Sequence, residues 1–186
     1  MTELINAIEN LWLLHPIGQT IGLTASLCYI LATMQRNDHR LFMTQMTGAF
    51  LFIIHYAVLG AWVGALGYTA GVARNLTAVT LIKKINNPLR LTLAFLIIYG
   101  AIALLTARHA VEIIPAFSGW LTAVAFFHFK NIRMRLLLLC AQGTFILYAA
   151  YVGSIGGMFT AGSEMIFTIF TISRLARTAT SLPQGV

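Results

Sequence analysis

Charged side chains are scarce in this chain. They make up 9% of its 186 residues, where a soluble domain carries about 25%. A surface that met water on every side would not do without them, so most of this surface meets something else. Acids are rarest, with only Glu3, Glu9, Asp38, Glu112 and Glu164. No two of them form a carboxylate pair for acid–base work. H-E-x-x-H, G-x-S-x-G and P-loop patterns are also missing. The histidines are scattered, which argues against a metal or haem site. An enzyme is therefore not expected, and neither is a cofactor. Cysteine is limited to Cys28 and Cys140, each inside an apolar run and neither in a C-x-x-C pair. Both read as small buried hydrophobes. The first fifteen residues hold no Lys or Arg, so a secretory signal with a basic leader is not expected. Ile5–Leu14 reads instead as an amphipathic lead-in.

Apolar residues are abundant, at 59% of the chain. They gather into seven runs: Ile17–Met34, Leu41–Leu59, Val63–Ile82, Leu89–Thr106, Val111–Phe127, Met134–Val152 and Ile155–Ser173. A helix crosses the hydrocarbon of a bilayer with roughly 20 mostly apolar residues. The expectation is an all-α membrane protein of seven transmembrane helices in one domain, with the lipid bilayer as its first partner. Pro88 reads as the start of the fourth helix, and Pro115 as a kink within the fifth.

The net charge of +7 does not point to nucleic acid, because its positions have a simpler cause. Arg36 and Arg40 follow the first run, Lys83, Lys84 and Arg90 the third, Lys130, Arg133 and Arg135 the fifth, and Arg174 and Arg177 the seventh. The opposite loops carry Arg108 alone. Basic residues stay on the cytoplasmic side, which sets the N-terminus outside and the C-terminus inside. His39 and His128 flank cytoplasmic loops and read as interfacial.

The chain also echoes itself. The stretch Tyr56-Ala57 to Gly64-Ala65 matches Tyr148-Ala149 to Gly156-Gly157 at an offset of 92. Residues 17–82 and 111–173 then form two three-helix repeats, and 89–106 is the helix that links them. Because the linker restores direction, the repeats run parallel, which is one of the known transporter plans.

Two charges lie deep in the apolar runs. Arg74 is central in the third and Glu164 central in the seventh. A charge at the midplane costs about 2.5–3.5 kcal/mol on insertion scales, so each must gain something in return. The expectation is an Arg74–Glu164 pair across the repeat interface. Two readings stay open: a site or gate for a polar solute, and a structural ion pair. Asn75, Gln142, Ser118, Trp120, Thr24 and Ser26 lie at similar depth. Each alone suits hydrogen bonds between helices at least as well, but as a belt at one depth they favour a polar cavity. Gly67, Gly71, Arg74 and Ala78 share one helix face, as do Gly157, Ala161, Glu164 and Thr168, and these small-residue stripes read as packing surfaces. His55 reads as a hydrogen-bonded bundle histidine.

The segment Val111-Glu112-Ile113-Ile114-Pro115, the Met134-Arg135 pair and Gly153-Ser154-Ile155-Gly156-Gly157 together resemble the bacterial YgjV-like inner-membrane family. The resemblance runs from about Gly18 to Arg177. It implies kinship with the MtN3-like clan of SWEET facilitators and PQ-loop transporters. Their plan is three plus one plus three helices, with a midplane site drawing on both third helices, where Arg74, Asn75 and Glu164 would fall. The chain departs from that clan in having no Pro-Gln dipeptide in either first helix; its only one is Pro183-Gln184 in the tail. An Arg and a Glu also replace the neutral amides of the sugar facilitators. The expected function is therefore a small-molecule facilitator of the bacterial inner membrane, working on an anionic or zwitterionic solute rather than a sugar; bundles this small often form homodimers. The alternative is a structural or regulatory partner of another membrane protein.

Overall fold

The computed structural model describes residues 2–80 and 87–180. Lys83, Lys84, the end of the third apolar run and the tail Pro183-Gln184 lie outside the described residues. The described chain is helical, with no strand. The helices are α1 (Thr2–Leu14), α2 (Pro16–Thr33), α3 (Asp38–Val58), α4 (Trp62–Thr80), α5 (Pro88–Thr106), α6 (Ile114–His128), α7 (Asn131–Tyr151) and α8 (Ile155–Thr180), with a 3-10 turn at Ala110–Ile113 leading into α6.

Local chemistry sets the helix ends. Asn37 caps α3, its side chain accepting from the amides of His39 (2.8 Å) and Arg40 (3.3 Å). Asn87 caps α5 through the Leu89 amide (3.0 Å), and Pro88 occupies the first turn as expected. Pro115 also sits in a first turn, that of α6. This corrects the expected kink: at that position a missing N–H breaks no helical bond, so the helix has no reason to bend.

The turns from α3 to α4 and from α7 to α8 are built alike. Gly60 and Gly153 adopt left-handed φ values of 69° and 66°, which a residue with a Cβ avoids. The next amides, of Ala61 and Ser154, each reach back to a carbonyl five residues earlier at 2.9 Å. The two glycines stand 93 residues apart. The structural register between the two halves is thus one residue longer than the 92 read from the tyrosines.

Six helices close into a ring: α2 on α3, α3 on α4, α4 on α6, α6 on α7, α7 on α8, and α8 back on α2, with the α4–α6 join the thinnest. Helix α5 stands outside, against α4 and α6. It turns Ile97, Leu104 and Leu105 outward, the last two more than 80% exposed. Among the described residues, five helical stretches are long and apolar enough to cross a membrane: those in α3, α5, α7 and α8, and α6 with its 3-10 turn. Helices α2 and α4 fall short of that measure. Their Gly, Ser, Thr and amide residues dilute the apolar character. Thr24 on α2 is exposed, and its hydroxyl bonds back to its own helix at Thr20 (3.0 Å), so it leaves the polar belt expected of it. Cys140 is likewise exposed rather than buried, while Cys28 is half-buried.

The tightest seam joins α2 to α8. A Cβ on Gly156 would lie 2.5 Å from the backbone carbon of Gly22, so the two helices meet backbone to backbone. Around that contact the polar groups satisfy one another. The Ser26 hydroxyl reaches the Gly156 carbonyl (2.9 Å), and the Thr160 hydroxyl donates to Ser26 (2.6 Å). The Gln19 amide donates to the Gly153 carbonyl (3.0 Å) and accepts from the Ile155 amide (3.1 Å), holding both sides of the turn. His55, fully buried on α3, lies 2.7 Å from the Gly18 carbonyl and 2.7 Å from the Ser154 hydroxyl. A carbonyl only accepts, so Nδ1 carries the proton there. His55 is the bundle histidine the sequence suggested.

At Gly156 the obstacle is backbone, which cannot swing aside. Gly156→Ala should lower stability by about 1–3 kcal/mol through overpacking. Gly162→Ala, with no atom within 4 Å of the added carbon, should change stability by about 1 kcal/mol or less, in the stabilising direction. Thermal denaturation of the two variants in detergent checks the contrast; equal melting temperatures would refute the close-contact account.

Candidate binding site

A cavity of about 110 Å³ lies at the middle of the ring, and helices α2 to α8 all contribute to its wall. Arg74 and Glu164 both line it, each less than a tenth exposed. Gln142 on α7 and Ser118 on α6 line it too, as expected. The small residues Gly67 and Gly71 of α4 give the space its width.

Arg74 is held in place by its surroundings. Its Nε and Nη2 donate to Asn75 Oδ1 (3.2 and 3.0 Å). Its Nη1 donates to the Tyr99 hydroxyl of α5 (3.1 Å) and to the Thr122 hydroxyl of α6. The guanidinium also lies over the Phe126 ring, 4.7 Å from its centre. Asn75 is not itself on the cavity wall. It orients Arg74 from behind, and its own amide N lies 3.5 Å from Gln45 of α3.

No hydrogen bond or ion pair joins Arg74 to Glu164. The expected direct pair is corrected: the arginine is drawn toward α5 and α6, while Glu164 looks into the same space from α8. Glu164 Oε1 and Gln142 Oε1 are both buried without a hydrogen-bond partner. The Ser118 hydroxyl is committed to the Ala141 carbonyl (3.0 Å).

Trp120 lies off the cavity wall. It is half-buried, and its indole N–H donates to the Leu96 carbonyl of α5 (2.9 Å). It ties α6 to the outer helix instead of facing a solute. Ser26 belongs to the α2–α8 seam. Sequence reasoning missed Tyr29, Tyr68, Tyr99, Thr122, Gln45 and Phe145, all of which line the cavity. A second, wider cavity of about 410 Å³ opens beside Trp62, Arg108 and Glu112. Tyr148 lines it, and the Tyr148 hydroxyl accepts from the Gly64 amide (3.0 Å). Gly64 lines the central cavity, so this bond lies on the wall between the two. On neither cavity wall, Arg135 is only 2% exposed and donates to the Gln35 carbonyl past the end of α2 (2.9 Å). It was expected in a solvated loop.

Residues 16–179 match the sequence pattern of a bacterial inner membrane protein family, Imp-YgjV. The chain belongs to this family. It is similar to the inner membrane protein YgjV of Escherichia coli (strain K12), at 29% identity over 163 residues that span 87% of this chain and 85% of that protein. No solved structure matches it. Membership of Imp-YgjV, with the long apolar helices, makes this a multi-pass protein of the bacterial inner membrane.

If Asn75 holds the arginine, Asn75→Leu should strip two guanidinium N–H groups of their acceptor. The expected loss is about 1–3 kcal/mol of stability. Trp120→Phe should cost about 0.5–1.5 kcal/mol for its one bond and leave ligand affinity unchanged. Melting curves with titration of any bound solute separate the two; a Trp120 variant that loses affinity would return that residue to the site.

Proposed function

We propose that this protein is a transporter or facilitator for a small polar solute, with the central cavity as its binding site. The observation that carries this reading is the cavity itself. It is walled by seven helices and holds one arginine, one glutamate and two amides that the bilayer would otherwise exclude. Ionisable groups inside a membrane bundle mark solute or ion paths by default.

In this reading α2 and α4 cross the bilayer with the other five. Each is flanked by helices that are long and apolar enough to span, so its polar face meets protein. The two like-built turns at Gly60 and Gly153 support two parallel repeats, α2–α4 and α6–α8, joined by α5. The closed ring fits a pseudo-two-fold axis along the membrane normal, as in the SWEET-like plan. His55 and Tyr148, also 93 residues apart, strengthen the case. His55 reaches Ser154 before α8 and Tyr148 reaches Gly64 near the start of α4, so each crosses to the third helix of the other repeat. The basic loops then place Lys130 in the cytoplasm and Arg108 outside.

Orientation has a direct test in a Cys28→Ala, Cys140→Ala background. Arg108→Cys should react with a membrane-impermeant maleimide on intact spheroplasts, and Lys130→Cys only after lysis. The reverse pattern would invert the topology.

Function is tested by a thermal-shift screen of the purified protein against sugars, amino acids, nucleosides and vitamins, with proteoliposome uptake of each hit. A ligand that binds only the folded state raises its melting temperature. Binding and uptake should both vanish in Glu164→Gln. Absence of any hit, together with a copurifying membrane protein, would favour the structural-partner reading.

A further inference from the structure

The cavity's polar atoms are unevenly satisfied, and the imbalance describes a ligand. On one side, Glu164 Oε1 and Gln142 Oε1 are buried acceptors with no donor. They stand on α8 and α7, which pack together. An ammonium group supplies three donors from one atom. Around them are the rings of Tyr29, Tyr68 and Phe145, with Tyr68 edge-on to both of the others at centre distances of 6.0 and 5.8 Å. Ring faces attract a cation.

On the other side, Arg74 spends Nε, both Nη1 hydrogens and one Nη2 hydrogen on Asn75, Tyr99 and Thr122. One Nη2 hydrogen remains of the five. Nη2 lies 3.9 Å from where a Cβ on Gly71 would be, and Gly71 leaves that edge open to the cavity. The free donor suits a single carboxylate oxygen.

Charge balance chooses among ligand classes. With Glu164 ionised, as an ammonium beside it would hold it, Arg74 and Glu164 sum to zero. A bare cation would set two positive charges against one carboxylate, and a bare anion two negative charges against one guanidinium. In a site of low dielectric either excess is expensive. A ligand with both charges keeps the site neutral. Size narrows it further: a cavity of about 150 Å³ takes benzene, so 110 Å³ suits about four to six non-hydrogen atoms.

We propose that the central cavity binds a small zwitterion of amino-acid type, its ammonium on Glu164 and Gln142 and its carboxylate on Arg74. This inference rests on the transporter reading above. Five probes of similar size test it: glycine, alanine, ethanolamine, propionate and glycerol. Glycine and alanine should raise the melting temperature by about 5–10 °C at a hundredfold excess over Kd and should accumulate in proteoliposomes. The other three should do neither. Gln142→Leu, which keeps both charges, should weaken alanine binding about tenfold or more. Glu164→Gln, checked for a monodisperse elution profile, should abolish it; where it does not fold, Glu164→Asp should weaken it instead. Shifts with ethanolamine, propionate or glycerol but not with the zwitterions would overturn the ligand class and leave the cavity as the site. So would a hit elsewhere in the broad screen that Glu164→Gln removes. No ligand and no uptake of any kind would overturn the transporter reading, and this inference with it.

Discussion

The contact between Gly22 and Gly156 governs the rest of the molecule. In lipid no water is at hand to satisfy a polar group, so each must find its partner inside the protein. Glycines on both sides let α2 and α8 approach until backbones touch. That closeness lets short side chains such as Ser26 and Thr160 bridge the helices. Gln19 and His55 reach the α8 turn for the same reason. The seam shuts one side of the ring and leaves no room there for a solute.

The opposite seam, α4 against α6, is built on another principle. A Cβ on Gly119 would meet the Tyr99 ring at 2.6 Å, so this glycine accommodates a side chain from α5 where Gly156 accommodates a backbone. Tyr99 and Arg74 fill the join between α4, α5 and α6, and the cavity opens beside them. Helix α5 is thus more than a linker. Its hydroxyl helps solvate the one buried cation of the α4 face, with Asn75, Thr122 and the Phe126 ring. A charge so well supplied needs no direct counter-ion, which explains why Glu164 is not drawn across to it.

That the chain is helical, and roughly where the described apolar runs fold into helices, was legible in the sequence, because apolar length follows from the bilayer. Arg74 and Glu164 were legible as the charges inside apolar runs. What neighbours they choose was not. In a soluble helix an apolar face marks the core, but here lipid and core are both apolar, so periodicity does not say which way Tyr99, Tyr29 or Tyr68 points. Trp120 was misplaced for that reason. Thr24 was misplaced because a threonine can bond its own helix and face lipid. Arg135 stands at the start of α7, where sequence alone cannot separate a solvated arginine from one folded over the end of α2.

Under the two-repeat reading proposed above, the register between the halves separates the charges. With the turns 93 residues apart, Glu164 corresponds to Gly71, not to Arg74. Arg74 lies three residues further along its helix, a rise of about 4.5 Å and most of a turn. Two charges at equivalent positions of a two-fold arrangement face one another across the axis and tend to close on each other. Displaced by one turn, they meet different neighbours at different depths. Arg74 finds α5 and α6, Glu164 keeps the aromatic side, and Gly71, at the position equivalent to Glu164, keeps space between them. Had the glycine and the arginine of α4 exchanged places, the two charges would stand at equivalent positions, and the cavity would lose the width that Gly71 gives it.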